Sequence, residues 1–176
     1  VPFGPDVFPC LVSGIVTISG DIADPLTLTI GDTFRSVYEL CDDGAGEVLD
    51  GALDLTVGEF SGDLATSLYM VSMDAVVTNL QISTSTDTIT NNGDVTLTLD
   101  TTQAPFVEAG ASGTSMTVDS NTSSEALSNY SSNHSVDGND PALPFTLAAS
   151  GVLDSTQLAG TVQYSTPVTF TGVGTE

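Results

Sequence analysis

Four carboxylates lie close together in the segment CDDGAGEVLDG, and this cluster is the clearest candidate for chemistry in the chain. Calcium binds six to eight oxygen ligands, which carboxylates and the carbonyls of a glycine-bent turn can supply. The spacing does not fit an EF-hand, which needs acids at alternate positions and a glutamate at a fixed distance. We therefore expect an exposed acidic turn, with calcium as a weak candidate ligand of Asp42, Asp43, Glu47 and Asp50. We also expect the segment DGND, residues 137–140, to be a turn rather than a metal site.

Candidates for catalysis and glycosylation are weaker. The single histidine, His134, lies in the polar stretch SSNHSVDG, and the chain has no GxSxG nucleophile motif. Carbohydrate-active sites usually carry aromatic platforms, whereas this chain has no tryptophan and four tyrosines. We expect an exposed histidine and no catalytic activity. Sequons, weak candidates for glycosylation, begin at Asn121, Asn129 and Asn133.

The charge balance is strongly one-sided. The chain has 23 acidic residues against one cation, Arg35, and its net charge is -22. Phosphate binding needs Lys and Arg, so nucleic acid is excluded as an ordinary partner and anionic membrane surfaces are disfavoured. Most carboxylates must be solvated, hydrogen bonded to backbone amides, or neutralised by cations from solution. Such a surface suits a saline or calcium-rich extracellular medium, which screens the repulsion between its charges.

Cys10 and Cys41 are the only cysteines, and their separation of 31 residues is wrong for a CxxC motif. We expect a disulfide, which would constrain the unfolded chain by about 3–4 kcal/mol on the chain-entropy model. Two buried free thiols are the alternative. A disulfide predicts an extracellular or cell-surface location, with the periplasm as the alternative. No apolar run approaches the ~18–20 residues of a membrane-spanning helix, so we expect no membrane insertion.

Alternation of apolar and polar residues is the main structural signal. It predicts strands in PLTLTI, FRSVYEL, GALDLTV and DVTLTLD, and again near the C-terminus. In each strand the apolar residues share one face and the polar residues the other. These apolar residues are Leu26, Leu28 and Ile30; Phe34, Tyr38 and Leu40; Leu53, Leu55 and Val57; Val95, Leu97 and Leu99; Val162 and Tyr164; and Val168 and Phe170.

Within the long segment from Ser67 to Ile82, the apolar positions change face, which predicts a β-bulge between Val77 and Asn79. Glycines introduce several of the alternating segments, as is typical of turns. We expect residues 1–176 to form a single all-β domain, an antiparallel two-layer sandwich of about nine to ten strands. The sandwich would be jelly-roll or Greek-key-like, and a β-barrel is the alternative.

Two segments depart from the alternation. Residues 1–10, VPFGPDVFPC, are predicted to be an extended arm, because their prolines disfavour regular strand pairing. Residues 108–140 are predicted to be a polar excursion in which a capping box, Thr122 and Glu125, starts a short helix through Tyr130. The arm would pack on its own domain or on a neighbouring subunit, where it would bury Val1, Phe3, Val7 and Phe8.

These features predict a non-catalytic secreted structural protein. It would be a subunit of an extracellular assembly, such as a filament, sheath or surface layer, whose copies make β-strand and arm contacts with one another. The alternative is a calcium- or glycan-binding module of a periplasmic or cell-surface protein. Like-charged subunits repel, so an assembly needs salt, divalent ions or a large apolar interface.

Overall fold

The computed structural model describes residues 1–137, 144–166 and 170–173. They form eleven β-strands and one 3₁₀ helix, Leu64–Thr66. The all-β antiparallel class is therefore confirmed. The strands are β1 (Pro2–Pro9), β2 (Ser13–Asp21), β3 (Thr33–Asp42), β4 (Val48–Asp63), β5 (Leu68–Ser83), β6 (Thr88–Asp100), β7 (Phe106–Ser120), β8 (Ser124–Asp137), β9 (Pro144–Ser155), β10 (Gly160–Ser165) and β11 (Phe170–Val173).

All of these strands belong to one antiparallel sheet. Strands β1 to β10 lie side by side in chain order, and β11 pairs with the first half of β9 while β10 pairs with the second half. The topology is therefore a meander, without the crossover of a Greek key among the described strands. One edge of the sheet is β1, and the other is formed by β10 and β11. The pairing alone does not choose between a sandwich and a barrel.

The predicted bulge in the long β5 segment is confirmed. The register shifts between Val77 and Leu80, and Asn79 lies at the bulge with a φ of 46°. The Asn79 amide, which the bulge removes from the ladder, donates to Asn92 Oδ1 at 2.7 Å. The extra residue returns Leu80 and Ile82 to the face that carries Val77, as the change in the apolar pattern predicts.

A second bulge, in β3, corrects the prediction for Leu40. The register between β3 and β4 shifts between Tyr38 and Cys41, and Leu40 has a φ of 48°. Leu40 is therefore exposed and does not share a face with Phe34 and Tyr38. The prediction was wrong because one inserted residue breaks the alternation after Tyr38.

The prediction of a strand in PLTLTI is also wrong. Residues 22–32 connect β2 to β3, and a single bridge between Asp24 and Thr27 is the pairing that they make. Leu26 and Ile30 are exposed. The connection is organised by Asp32, whose carboxylate is 2% exposed. It accepts hydrogen bonds from the backbone amides of Ala23 and Thr29, each at 2.8 Å.

The same loop is anchored on the centre of β4. The Val57 amide donates to the Asp32 carbonyl at 2.9 Å, and the Gly31 amide donates to the Val57 carbonyl at 2.8 Å. Val57 is the most fully buried large side chain of the described residues, with 1% exposed. The loop therefore closes over the best-packed point of the sheet.

The polar segment 108–140 does not leave the sheet. Its described part, through residue 137, lies almost entirely in β7 and β8, which pair with each other along their length. The prediction of a helix from Thr122 to Tyr130 is wrong, because Glu125 and Tyr130 lie in β8. Glu125 does not cap a helix, and its carboxylate instead accepts a hydrogen bond from the Ser155 hydroxyl of β9 at 2.9 Å.

The strand register assigns side chains to two faces, because paired residues share a face and consecutive residues alternate. The apolar face carries Phe34, Leu53, Leu55, Val57, Val71, Met73, Ala75, Val95, Leu97, Leu99, Ala109, Ala111, Met116, Leu127, Leu153 and Val162. The other face, the acidic face, carries every acid of the described strands except Asp6 and Glu125: Asp21, Glu39, Asp42, Asp50, Asp54, Glu59, Asp63, Asp74, Asp94, Asp100, Glu108, Asp119, Asp137 and Asp154.

Few side chains in the described part of the chain are fully buried. The buried apolar residues are Cys41, Ala52, Val57 and Ala75, and most of the apolar face is half-buried or exposed. The chain exposes 10484 Å² in all. A compact monomer of 18.0 kDa would expose about 8,000 Å². The sheet therefore leaves much more surface in water than a closed domain does.

The hydrogen bonds of Asp32 give a first prediction. Asp32→Ala leaves two amides without an acceptor, and we expect the free energy of unfolding to fall by about 2–3 kcal/mol. Urea denaturation followed by circular dichroism measures the change. Leu26→Ala in the same loop is the control and should cost less than about 0.5 kcal/mol, because Leu26 is 90% exposed. Equal losses for the two variants would contradict this account of the loop.

Candidate interaction surface

The carboxylates have almost no cations to pair with. The described residues form two ion pairs: Arg35 with Asp54, at 2.6 Å to both carboxylate oxygens, and the amino group of Val1 with Asp21, at 2.8 Å. All of these groups are substantially exposed, so each pair contributes at most about 1 kcal/mol. Most carboxylates of the acidic face are therefore stabilised by contacts other than ion pairs.

Asp94 shows how backbone amides and hydroxyls replace cations. Its carboxylate accepts the Thr114 amide at 2.8 Å, the Thr114 hydroxyl at 2.7 Å and the Ser115 amide at 3.0 Å. The hydrogen bonds from Thr114, with the Ser115 amide adding to them, hold the pKa of Asp94 below its usual value. Because the β6–β7 register shifts between Gly93 and Thr96, these bonds close a bulge. The Asp94 carboxylate thus completes the hydrogen bonding between β6 and β7 at this bulge.

Tyr130 braces the same bulge from the apolar face. Its hydroxyl donates to the Asp94 carbonyl at 2.6 Å, and its ring passes over Gly113 on β7. A Cβ at Gly113 would meet both the Asp94 carbonyl and the Tyr130 hydroxyl, so glycine is required by the close approach. Burial, with smaller contributions from Asp94 and Tyr164, raises the pKa of Tyr130. The bulge is therefore held by a carboxylate on one face and a phenol on the other.

Asp100 repeats the arrangement at the end of β6. Its carboxylate accepts the Thr102 hydroxyl at 2.6 Å and the Thr102 amide at 2.7 Å. These two hydrogen bonds lower the pKa of Asp100. On β5, Asp74 accepts the hydroxyl of Thr96 across the strands at 2.6 Å. The abundant hydroxyls of the chain thus serve carboxylates that lack cations.

The acidic segment proposed for calcium does not come together as a site. Asp42 accepts the Gly44 amide at 2.8 Å, and Asp43 accepts the Ala45 amide at 2.9 Å, so each carboxylate bends its own turn. Asp50 accepts the Leu40 amide at 3.3 Å, and Glu47 is exposed. Within the described residues, no group of three Asp, Glu, His or Cys side chains could hold a metal ion. Residues 138–140 of DGND lie outside the described residues.

The cysteines form the expected disulfide. Cys10 and Cys41 are bonded, with their Cα atoms 5.5 Å apart, and Cys41 is buried. Cys10 follows β1 and Cys41 lies in β3, so the bond ties the edge hairpin of the sheet to the next strand. The disulfide is compatible with an extracellular or periplasmic location. No helix of the described residues is long and apolar enough to cross a membrane.

The N-terminal arm lies in its own sheet. Residues Pro2–Pro9 form β1, so the expectation that prolines prevent regular pairing is wrong, although the register breaks between Phe3 and Asp6. The prolines are tolerated because an edge strand needs amides on one side only. The Phe3 ring packs against Phe34, with centroids 6.1 Å apart. The other arm residues, Val1, Val7 and Phe8, are exposed, and an exchange of the arm between subunits stays a prediction.

The remaining candidates lie on the surface. His134 is exposed, as expected, with its ring 5.4 Å from the ring of Phe145. The three sequon residues are also exposed: Asn121 in the β7–β8 turn, and Asn129 and Asn133 on β8. They are accessible to a glycosyltransferase, but their occupancy stays a prediction.

A cleft of about 380 Å³ lies beside β2, β3 and β4. Its lining includes Phe34 and Leu55 together with the charged groups Arg35 and Asp54. Arg35 Nη1 lies 2.6 Å from both carboxylate oxygens of Asp54, so the charges of the two side chains offset each other within the cleft. The cleft is therefore a weaker candidate than the open sheet itself.

The surface that stands out is the apolar face. It runs across the strands with half-buried side chains, and Leu97 and Val162 are 42% and 45% exposed. The strand pairs with extensive backbone contacts are sheet neighbours, and most side chains of this face keep part of their surface in water. Sequence reasoning identified the apolar side of several single strands. It missed that these sides join into one uncovered surface, because strand order is needed to join them.

Asp94 gives a prediction about acid stability. The pKa of Asp94 is lower in the folded protein than in the unfolded chain. Its contribution to the free energy of unfolding is therefore complete above the ordinary pKa of about 3.9, and it is lost as the pH falls through the folded-state pKa. We expect Asp94→Asn to lower the free energy of unfolding at pH 7 by about 1 kcal/mol, after allowance for solvent exposure.

The difference between this variant and the wild type should shrink as the pH falls below the ordinary carboxyl pKa, because residue 94 then becomes uncharged in both proteins. Urea unfolding at pH 7 and at acidic pH measures it. Asp154→Asn, which removes an exposed charge from the same face, is the matched control and should cost nothing at either pH. A pH-independent loss in Asp94→Asn would contradict a role for the ionised form.

Calcium is tested by titration calorimetry on chelator-treated protein. Because Asp42 and Asp43 are committed to their own turns, we expect binding no tighter than about millimolar, the range of the weakest extracellular sites. The melting temperature should not change at low millimolar calcium. Submillimolar binding that disappears in Asp43→Asn would show that the acidic segment rearranges into a site.

Comparison with known proteins gives no relative on which to base a function. Neither a scan against protein-family models nor searches of curated proteins and of solved structures found a match. The functional interpretation of the chain therefore depends on its own geometry, and above all on the separation of an uncovered apolar face from an acidic one.

Proposed function

We propose that this protein is a secreted, non-catalytic structural protein, a subunit of an extracellular assembly such as a filament, sheath or surface layer. The observation that carries the proposal is the uncovered apolar face. A sheet that exposes 10484 Å² gains stability when another surface covers it, and burial of apolar area is the dominant favourable term in association. Copies of the same chain are the proposed partners.

The state of the carboxylates supports a structural role. A general acid or base needs a pKa near the working pH. The pKa values of Asp94 and Asp100 are instead lowered, away from neutral pH. Their carboxylates accept hydrogen bonds from residues of the neighbouring strand or turn. These carboxylates stabilise the bulge and the turn of the sheet in which they lie.

The disulfide supports secretion. Structural disulfides form in oxidising compartments, and the bond between Cys10 and Cys41 secures the edge of the sheet there. An extracellular medium also contains the dissolved cations that a chain with a net charge of -22 needs for screening. Both features fit an assembly outside the cell.

Contacts through strand edges or the arm are one route to assembly. Val7 and Phe8 are 57% and 49% exposed on β1, and the outer edge of β1 has no partner among the described strands. Three prolines in β1 oppose this route, because they remove amide donors from the strand. At the other edge, β10 and β11 are short, which also limits strand addition.

The proposal predicts association that strengthens with salt. Repulsion between copies is screened as ionic strength rises, so the dissociation constant should fall about tenfold or more between about 10 mM and about 1 M NaCl. Sedimentation velocity over a range of protein concentrations measures it, and electron microscopy of the concentrated samples shows the form of the assembly.

The same samples are measured with a chelator and with millimolar calcium, which separates assembly from a calcium-dependent module. Assembly in both conditions supports the structural role. A monomer at high concentration and high salt, with or without calcium, would contradict it.

A further inference from the structure

The apolar face carries few charges, and most of its side chains are only partly buried. Within the described strands its acids are Asp6, on the edge strand, and Glu125, whose carboxylate accepts the Ser155 hydroxyl. A partner that covers the centre of this face therefore meets no unpaired charge there. The partner must present a broad, extended apolar surface, because half-exposed side chains occur from Phe34 on β3 to Val162 on β10.

A second copy of the chain presents such a surface. We infer that two copies stack through their apolar faces and form a two-layer sandwich between subunits. This inference rests on the proposed function and specifies its contact. Stacked sheets pack about 10 Å apart with interdigitated side chains, and an isologous pair satisfies both apolar faces at once.

The charge distribution favours this arrangement over contacts through the acidic face or the edges. When the apolar faces meet, the carboxylates of the two copies point away from each other. The acids of opposite copies are then on the order of 20 Å apart, beyond the Debye length of about 8 Å at physiological salt. Stacking thus answers the objection that two chains of charge -22 repel.

The exposed surface area of the chain is large enough for a stable interface between two copies. The chain exposes about 2,400 Å² more than a compact monomer of its mass. A standard stable interface buries about 800 Å² on each partner, so part of the face is enough for a dimer. Obligate homodimers bury larger and more apolar interfaces, which resemble a domain core cut in half.

Three substitutions to asparagine test the inference without adding charge. Leu97→Asn alters the apolar face on central strand β6, where the side chain is 42% exposed. Val76→Asn is the matched control, because Val76 is 48% exposed on the acidic face of the neighbouring strand. Val7→Asn probes the edge strand β1, where Val7 is 57% exposed.

We expect Leu97→Asn to raise the dissociation constant of the wild-type self-association at least about tenfold, as for a residue at the centre of an interface. Val76→Asn and Val7→Asn should stay within about threefold of the wild type, as exposed positions outside an interface do. Sedimentation velocity gives the constants, and far-ultraviolet circular dichroism checks that each variant is folded. Val162→Asn, near the other end of the apolar face, replaces Leu97→Asn if the latter does not fold.

The outcomes separate the inference from the proposed function. If the wild type assembles and Leu97→Asn behaves like Val76→Asn, stacking is wrong while assembly stands. If Val7→Asn alone weakens association, the arm is the contact and stacking is again wrong. If the wild type stays monomeric, both proposals fail. Flotation of that monomer with neutral phosphatidylcholine vesicles would then identify lipid as the surface that covers the apolar face.

Discussion

The structure depends on one constraint: carboxylates are plentiful and cations are almost absent. With Arg35 as the only basic side chain, ion pairs cannot neutralise the acids, so the sheet places nearly all of its strand acids on one face, in water. Where a carboxylate approaches the backbone, it is satisfied by amides and hydroxyls, as Asp94 is by Thr114 and Ser115. The abundance of Thr and Ser then has a physical reason. They are the donors that lysine and arginine supply in other proteins.

The same constraint explains why the opposite face is apolar and why it is left open. Because nearly all strand acids lie on one face, the other face carries only Asp6 and Glu125 among the described strands. The described strands form one meander sheet, and most side chains of that face stay partly exposed in it. Prolines, short strands and the Cys10–Cys41 bond secure the edges. A subunit with protected edges and an open apolar face is best suited to contacts through the face, and this is why we place the contact between copies there.

Part of this architecture could be predicted from the sequence. Alternation identified the residues on the apolar face of β4, such as Leu55 and Val57, because consecutive side chains of a strand point to opposite faces. The bulge near Asn79 was also predictable, since the apolar positions change parity there. These features depend on neighbours in the chain, which a single sequence contains. The disulfide was predictable for another reason: two cysteines leave one pairing.

The failures arise from hydrogen bonds and strand pairing that the apolar–polar alternation does not reveal. PLTLTI alternates like a strand, but the carboxylate of Asp32 accepts the amide of Thr29 within it and the amide of Ala23 just before it, which holds the segment as a loop. The capping box at Thr122 and Glu125 was overridden by pairing with β7 and β9, which together outweigh a local helical signal. The apolar face itself could not be predicted, because alternation determines faces and not strand order. The acidic segment after Cys41 was predicted to be an exposed turn, and its carboxylates do bend that turn through local hydrogen bonds.

Burial of the apolar face between copies can be measured directly at the three methionines of the chain. Met73 and Met116 lie on the apolar face, whereas Met70 lies on the acidic face, and all three are half-buried. Oxidation by dilute peroxide, followed by mass spectrometry at increasing protein concentration, reports the exposure of each sulfur. We expect Met73 and Met116 to become protected as the protein assembles, while Met70 continues to oxidise. Assembly that leaves the oxidation of Met73 and Met116 unchanged would contradict it.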